Sequence, residues 1–357
     1  MNIGIIGPAR SGKTTTFHLL TGTIPKPEDA FKHEVQHGVT HVPDARVDKL
    51  SEMSSSKKSI YVTVEYVDTP ALEAGASKTD WFRAAMDGGI KTTDALLLVV
   101  RAFGAEDQPG GVNPLRDIIA VQDELVLADM IILENRLERL QKQRRVKAPL
   151  PEEKAELDLL TKAHAHLGEG KPLRILELEH NEQKALRGFQ FLSEKPLLAV
   201  VNAAEDMLAS TDLHKLGDDL KHYHIQVIAL SAALEGDIAR LPRDEQEAFM
   251  SDLGVTELAR DRVLRASFDL LGLQSFLTTG DKESRAWPIH KGDTAQEAAG
   301  VIHTDLAKGF IRAEVVHFDD FVREGGYPGC KAKGLLRLEG KEYPVKDGDI
   351  LVIRHSG

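Results

Sequence analysis

The stretch "NIGIIGPARSGKTTTFHLLTG", residues 2–22, decides the fold of this chain. It opens with a short apolar run bounded by glycine, which is typical of a buried β-strand, and the pattern "KTTTFHLLTG" that follows is helical. Between them, "GPARSGKT" at 7–14 matches GxxxxGKT in the strand, loop and helix context that this motif requires. The stretch therefore predicts a phosphate-binding loop.

The predicted loop supplies the groups that bind nucleotide phosphates. Backbone N–H groups of residues 10–14 are expected to surround the β-phosphate at a helix N-terminus, while Lys13 bridges the β- and γ-phosphates. The predicted phosphate-binding residues are Gly7, Arg10, Ser11, Gly12, Lys13, Thr14 and Thr15.

Mg²⁺ is the predicted cofactor. Thr14 is placed to ligate the ion with its hydroxyl, an oxygen ligand of the kind that Mg²⁺ prefers. The β-branched run "SIYVTVEY" at 59–66 indicates a second strand, and Asp68 falls at its end, where a carboxylate can hold the ion through water. Thr14 and Asp68 are therefore the predicted metal-binding side chains.

Further apolar runs predict the rest of a sheet. The segments at 95–100, 197–201 and 225–230 resemble buried parallel strands that each end in loop residues. The predicted fold class is α/β, with a doubly wound, mostly parallel P-loop sheet. Residues 1–117 and 196–272 are assigned to this nucleotide-binding domain.

The remaining chain divides into two parts. Residues 118–195 are predicted to form a helical, coiled-coil-like insertion of two paired helices separated by "APLP", because apolar residues recur there every three or four positions. Its basic residues indicate either a solvated helix face or a nucleic-acid contact. Residues 273–357 show short β segments with Gly and Asp turns, which predict a small β-rich domain. The basic residues in question are Arg136, Arg139, Lys142, Arg144, Arg145 and Lys147.

The base-binding residues are predicted from two strand ends. "PLLAVVNAAED" places Asn202 at the end of a strand with Glu205 three residues later, where guanine-specific proteins have NKxD. Without that lysine and aspartate, the hydrogen bonds that discriminate for guanine are lost, so ATP is predicted to bind at least as well as GTP. Ser231, Ala232 and Ala233 end the next strand and are predicted to contact the base through their backbone.

Composition excludes some partners. The formal net charge of −11 argues against general nucleic-acid or membrane-surface binding, so any RNA contact must be local, and neither a membrane nor DNA is an expected partner. A single cysteine rules out an intramolecular disulfide framework, and "MNIGIIG" lacks a signal-peptide pattern. The expectation is a soluble cytoplasmic protein.

Almost the whole chain resembles the YchF/Obg-like ATPase family. The resemblance rests on the P-loop at the start, the NxxE motif, the helical insertion, and the stretch beginning "LLGLQSFLTTGDKESRAWPIHKGDTAQEAAG", which looks like that family's junction and the start of its TGS domain. It implies a P-loop ATPase that usually favours ATP over GTP, hydrolyses slowly, and associates with ribosomes. It also implies contacts with the ribosome or structured RNA through the helical and TGS domains.

Three segments depart from the family pattern. After Asp68, Ala71 stands where a glycine would approach the γ-phosphate, and Leu72 stands at the place of a water-orienting glutamine, a substitution that the family shares. Lys32 stands near the position of the family's Mg²⁺-binding threonine. The family's candidate catalytic histidine has no counterpart, and Asp107 is the nearest residue. No catalytic residue is therefore assigned.

Two smaller patterns have competing explanations. His33, His37 and His41 recur every fourth residue, but Gly38 and β-branched neighbours favour a solvated loop over a helical metal site. Cys330 precedes two lysines at short distance, which suggests a reactive thiol, although a lone loop cysteine is more often inert.

Two functional hypotheses follow. One is a slow ATPase whose phosphate and Mg²⁺ contacts stabilise the transition state. The other is a nucleotide-gated adaptor for RNA or the ribosome in which hydrolysis is weak or lost. A GTP-preferring GTPase is a further alternative, whereas the NxxE segment and the TGS-like end disfavour a metabolite kinase.

Overall fold

The computed structural model of the chain describes residues 1–24, 35–69, 89–104, 111–146, 150–208, 212–252 and 255–356. Its contacts divide the chain into two compact units, one of residues 1–40 and 65–263 and the other of residues 41–64 and 264–357. The domain boundaries given above stay predictions. The two units differ from these boundaries in that residues 41–64 and 264–272 belong to the second unit and residues 118–195 are part of the first.

The strands are short and follow the apolar runs of the sequence. They are β1 (Asn2–Ile6), β2 (Gln36–His41), β3 (Ser59–Ile60), β4 (Thr63–Asp68), β5 (Ala95–Ala102), β6 (Leu197–Ala203), β7 (Ile225–Leu230), β8 (Leu273–Thr279), β9 (Ser284–His290), β10 (Phe310–His317), β11 (Arg337–Glu339) and β12 (Asp349–His355).

The helices lie between these strands. They are α1 (Lys13–Thr21), α2 (Ala45–Ser54), α3 (Pro114–Val146), α4 (Pro151–Gly168), α5 (His180–Leu186), α6 (Glu205–Leu208), α7 (Leu213–Leu220), α8 (Ala232–Ile238), α9 (Arg243–Asp252), α10 (Ala259–Leu270), α11 (Ala295–Ile302), α12 (Thr304–Lys308), α13 (Phe318–Arg323) and α14 (Tyr327–Ala332). In the part of the chain that the structure describes, no helix has the length and apolar character needed to cross a membrane.

The sheet of the first unit has the strand order β2, β4, β1, β5, β6, β7. β1 pairs in parallel with β4 and β5, and β6 pairs in parallel with β5 and β7. Every residue of β6 is buried, as expected of a central strand covered on both faces. Parallel strands end at the same edge of a sheet, so the loops that follow β1, β4, β6 and β7 lie on one side. Ligands bind on this side in doubly wound folds.

The sheet of the second unit has the order β11, β10, β12, β8, β9, β3. β8 with β9 and β10 with β12 are antiparallel pairs, and residues such as Phe276, Val315 and Leu351 fill the core beneath them. β3 pairs in parallel with β9 through Ser59 and Ile60. This pairing explains why residues 41–64 cluster with the C-terminal unit.

The predicted helical pair consists of α3 and α4. Both carry apolar residues on one stripe, and Leu133, Leu140 and Leu160 are buried between them. At the start of α3, the Asn113 side chain accepts a hydrogen bond from the N–H of Arg116 at 3.0 Å, which satisfies a free donor of the first turn.

A buried carboxylate fastens α3 to the chain entering β6. Asp129 is fully buried on α3 and accepts hydrogen bonds from the N–H groups of Leu192 and Ser193 at 2.8 and 2.6 Å. Burial raises the pKa of Asp129 from 3.8 to about 6, although these hydrogen bonds oppose the shift. Nearby, Arg174 is half-buried, desolvation lowers its pKa to about 10, and it donates to the carbonyl of Tyr223 at 2.9 Å.

Three local expectations were wrong. The run "SIYVTVEY" forms two strands, β3 and β4, rather than one. His37 and His41 lie on β2 rather than in a loop, since buried and exposed positions alternate along Gln36–His41 as in a strand, and His37 contacts Glu65 at 2.8 Å. Cys330 lies in α14 rather than in a loop; it is fully buried, and its burial raises the thiol pKa, which agrees with the preferred interpretation of an inert thiol.

Asp129→Asn is expected to reveal the pH dependence of this buried carboxyl. The folded-state pKa is raised, so the proton stabilises the folded protein, and that contribution is fully present below about pH 4 and lost as the pH rises through about 6. The stability advantage of the wild type over Asp129→Asn in urea unfolding should fall by about 2 kcal/mol between about pH 4.5 and about pH 7.5.

The exposed Asp158 on α4 supplies the matched control, Asp158→Asn, measured at the same two pH values. An advantage of the wild type over Asp129→Asn that is constant or grows with pH would contradict the raised pKa.

Candidate nucleotide-binding site

The predicted phosphate loop runs from the end of β1 to the first turn of α1. Two of its positions admit only glycine for lack of space. A Cβ at Gly7 would lie 2.2 Å from the carbonyl oxygen of Val99, and a Cβ at Gly12 would lie 2.0 Å from Nδ2 of Asn202. Gly12 also has a φ of 84°, in the left-handed region. The loop is therefore held close to the strands beside it.

The N-terminus of α1 is open to an anion. Gly12 is the N-cap, and no side chain accepts a hydrogen bond from the first turn. Arg10, Thr14 and Thr15 are exposed at this end of the helix. The free N–H groups of a first turn and the positive end of the helix dipole favour a negatively charged group such as a phosphate.

A buried ion pair lies beside this turn. Nζ of Lys13 lies 2.5 Å from Oδ1 of Asp68 and also donates to the carbonyl of Thr69. The hydroxyl of Thr14 donates to the other carboxylate oxygen of Asp68 at 2.8 Å. Lys13 is 6% exposed and Asp68 is 5% exposed, so each charge depends on the other for compensation. Lys13 and Thr14 thus share the carboxylate of Asp68.

Asn202 joins the phosphate loop to the predicted base loop. Its Nδ2 donates to the carbonyl of Ser11 at 3.1 Å, and its Oδ1 accepts from the N–H of Ala232 at 3.0 Å. Asn202 is buried, and its side chain connects residues that are far apart in the sequence. The geometry gives this residue a positioning role between the two loops.

The other predicted base residues lie around the start of α8. Ser231 is its N-cap, and Ala232 and Ala233 line a cavity of about 350 Å³ together with Thr15 of α1. The structure therefore brings one predicted phosphate residue and two predicted base residues to a single cavity. Glu205 is exposed at the first position of α6.

Two residues of this region were not identified from the sequence. Glu235 on α8 is buried, and its carboxylate accepts from the N–H groups of Ala259 and Arg260 at 3.0 and 2.8 Å, so it caps α10. Burial raises its pKa. Arg260 lines the same cavity as Ala232. No sequence pattern links positions 235 and 259, since the contact forms only when the helices pack.

Some predicted residues lie outside the described residues. These are Lys32, Ala71 and Leu72 of the predicted switches, together with Asp107 and His33. Within the described ranges, no group of three or more His, Cys, Asp or Glu side chains is arranged to hold a metal ion. The ligand-binding roles assigned to the loop residues stay predictions.

Comparisons with known proteins give a consistent result. Residues 273–356 match the YchF-GTPase_C family, described as a protein of unknown function (DUF933). The chain is 39% identical to "Ribosome-binding ATPase YchF" of Pasteurella multocida (strain Pm70), over 99% of this chain and 98% of that protein. It is 35% identical to the protein of the same name from Bacillus subtilis (strain 168), over 100% of this chain and 99% of that one.

A solved structure, that of the Schizosaccharomyces pombe YchF GTPase, superimposes with a TM-score of 0.82 at 26% identity and covers 99% of this chain and 97% of that chain. The predicted resemblance and fold class are confirmed: a mixed α/β P-loop fold followed by a C-terminal domain.

Gly12→Ala is expected to disable the phosphate loop, with Gly170→Ala, at the end of α4 in the same unit, as its matched control. Both glycines have positive φ, so each alanine costs about 1 kcal/mol in backbone strain. Only the Cβ at Gly12 meets Asn202, whereas no atom lies within 4 Å of a Cβ at Gly170. Titration with labelled ATP should show about a tenfold or greater loss of affinity for Gly12→Ala alone. Equal losses of ATP affinity in the two variants would contradict the assigned clash between a Cβ at position 12 and Asn202.

Proposed function

We propose that the chain, which belongs to the YchF family, is a nucleotide-dependent switch that binds ATP, or alternatively GTP, with Mg²⁺ and hydrolyses it slowly. The observation that carries the proposal is the shared carboxylate of Asp68, which joins Lys13 and Thr14 beside the open N-terminus of α1. A cation, a hydroxyl and free backbone donors converge there on the space where phosphates bind in P-loop proteins.

Lys13 acts by exchanging partners. In the structure, Asp68 neutralises the ammonium of Lys13, which keeps a buried cation stable. A bound β- and γ-phosphate offers Lys13 charge-assisted hydrogen bonds that are stronger than those between neutral groups. The affinity for nucleotide then reflects the difference in free energy between the Lys13–phosphate contact and the Lys13–Asp68 ion pair.

The residues present fit Mg²⁺. Thr14 and Asp68 supply a hydroxyl and a carboxylate that already lie within 2.8 Å of each other, and both are oxygen ligands. Mg²⁺ commonly binds through one or two protein oxygens together with phosphates and water, so a larger protein cluster is not needed. When bound, the ion neutralises charge on the β- and γ-phosphate oxygens.

The phosphate loop has a further unpaired group. The hydroxyl of Ser11 is buried and has no hydrogen-bond partner among the described residues. A buried hydroxyl without a partner costs about 1–3 kcal/mol. A phosphate oxygen or an ordered water in the loop would satisfy it, which supports a phosphate ligand at this place.

Slow hydrolysis is proposed from the sequence of the switch segments. Leu72 has no group that orients an attacking water, and Ala71 adds a Cβ where close approach to the γ-phosphate is needed. The electrostatic part of catalysis remains through Lys13 and Mg²⁺. If the switch segments fail to complete the site, the chain is a nucleotide-gated adaptor rather than an ATPase.

Base selection is proposed to permit ATP. Glu205 is exposed at the start of α6 and replaces the aspartate that would accept hydrogen bonds from guanine, and Ala203 replaces the lysine. Asn202 is hydrogen-bonded to Ser11 and Ala232, so its role in the base site is to hold the phosphate loop and the base loop in position. Names of relatives include both ATPase and GTPase, so a GTP-preferring enzyme is the alternative.

The proposed partner is the ribosome or structured RNA, since the bacterial relatives are named as ribosome-binding. The helical pair offers cations for such a contact. Arg136 forms an ion pair with Glu156 at 2.7 Å, and Lys142 forms one with Glu138 at 2.6 Å. The other cations, Arg139, Arg144 and Arg145, are exposed and form no ion pair within the described residues. The C-terminal TGS domain is the second proposed contact. Neither DNA nor a membrane is proposed.

Lys13→Ala is expected to weaken MgATP binding by about 10- to 100-fold, because a charge-assisted contact with the phosphates is lost. Labelled ATP and GTP are titrated in parallel, with circular dichroism to show that the variant is folded. Lys215→Ala, which removes an exposed lysine of the same unit, is the control. An unchanged ATP affinity in Lys13→Ala would refute the phosphate assignment. A wild-type preference for GTP of about tenfold or more would refute the base assignment.

Ala71→Gly and Lys32→Ala separate two explanations of slow turnover. If the Cβ of Ala71 is the obstacle, Ala71→Gly should raise single-turnover hydrolysis or the preference for ATP over ADP, with ADP affinity unchanged because ADP lacks the γ-phosphate. If Lys32 supplies a compensating charge, Ala71→Gly should have no effect and Lys32→Ala should slow turnover. Wild-type turnover on the order of 1 to 100 s⁻¹, as in kinases, would contradict slow hydrolysis.

A further inference from the structure

The C-terminal unit contains a groove of about 800 Å³ that the nucleotide site does not use. It lies over one face of the sheet formed by β10, β11 and β12, beside α14. The strand register explains its composition: Glu314 is directly opposite Leu338 of β11 and Val352 of β12, and Arg312 is opposite Arg354. Residues directly opposite each other share a face, so these five side chains line one surface.

The groove carries excess positive charge in an acidic protein. Arg354 is paired with Glu314 at 2.9 and 3.1 Å. Arg312 and Lys331 line the same groove and form no ion pair among the described residues, so three cations surround one carboxylate. The hydrogen bond from Arg354, with smaller effects of Arg312 and Lys331, lowers the pKa of Glu314. Two arginines directly opposite each other repel, and a bound anion would relieve that repulsion.

The apolar part of the groove is aliphatic. Leu338 is 60% exposed, and Leu336, Pro328 and Val352 lie around it. The one aromatic ring of the lining, that of Tyr327, packs edge-on against Phe321 with ring centres 4.9 Å apart. Single-stranded nucleic acids are held by faces of aromatic rings on which bases stack. This lining instead suits leucine-like or valine-like side chains.

The groove also adjoins a sheet edge. β11 is the first strand in the order of its sheet, and its neighbour on one side is β10. An edge strand presents backbone N–H and C=O groups that an extended peptide can pair with, and alternate side chains of such a peptide then point to the same face.

We propose that this groove binds an extended acidic segment of another protein, with carboxylates against Arg312 and Lys331 and aliphatic side chains against Leu338 and Val352. The inference goes beyond the proposed nucleotide switch, since it assigns a protein ligand to the C-terminal unit and does not depend on nucleotide binding.

The test uses the full chain and a fluorescein-labelled seven-residue peptide in which glutamate or aspartate alternates with leucine or valine. Fluorescence anisotropy is measured for wild type, Arg312→Glu, Leu338→Ser and the control Lys308→Glu, which reverses an exposed charge on α12 of the same unit. A peptide with lysine in place of every acidic residue and a ten-nucleotide single-stranded RNA are measured alongside. ATP affinity of each variant is recorded on the same samples.

The wild type should bind the acidic peptide saturably, and the lysine peptide should not bind. Arg312→Glu should weaken binding by about tenfold and Leu338→Ser by about fivefold, while Lys308→Glu stays within about twofold. ATP affinity should be unchanged, so failure here is distinct from failure of the nucleotide assignment. The proposal is overturned if the acidic peptide does not bind, if both groove variants bind it like wild type, or if the RNA binds and is lost with the same two substitutions.

Discussion

The carboxylate of Asp68 is the interaction on which the nucleotide site depends. It ends β4, lies almost fully buried, and receives both the ammonium of Lys13 and the hydroxyl of Thr14 from the first turn of α1. A buried carboxylate is stable only with such partners, so the sheet edge and the helix start are held together by charge as well as by packing. The same arrangement sets the terms of ligand binding. In the proposed function, a phosphate competes with Asp68 for Lys13, and a metal ion binds between Thr14 and Asp68, which are already adjacent.

Two further hydrogen-bonded side chains extend this organisation. Asn202 ties the phosphate loop to the base loop by bonding Ser11 and Ala232. Glu235, in the helix that follows the base loop, caps the start of α10. α10 runs from Ala259 to Leu270 and carries the chain from the first unit into the second. Glu235 thus links the helix that follows the predicted base loop to the start of α10 by two hydrogen bonds within the first unit.

The sequence predicted those parts of the protein that depend on local patterns. β1 and β7 were located because apolar, β-branched runs are closed by loop residues, and the phosphate loop because its glycines are spaced for close backbone approach. Contacts between distant segments were not predictable in the same way. β3 joins the C-terminal unit only because Ser59 and Ile60 pair with β9, and Glu235 has a role only because α10 packs beside it. Cys330 was misplaced because Gly326 and Pro328, which look like loop residues, instead begin a short helix.

The role of this carboxylate can be measured through the effect of Mg²⁺ on ATP affinity in wild type and in Asp68→Asn. Asparagine keeps the size of the side chain but removes the charge that would hold the ion and that neutralises Lys13. We expect Mg²⁺ to raise the ATP affinity of wild type by about tenfold or more. In Asp68→Asn, this increase should disappear, while affinity without Mg²⁺ stays the same or rises because Lys13 is released. An undiminished effect of Mg²⁺ in Asp68→Asn would contradict the central role of this carboxylate.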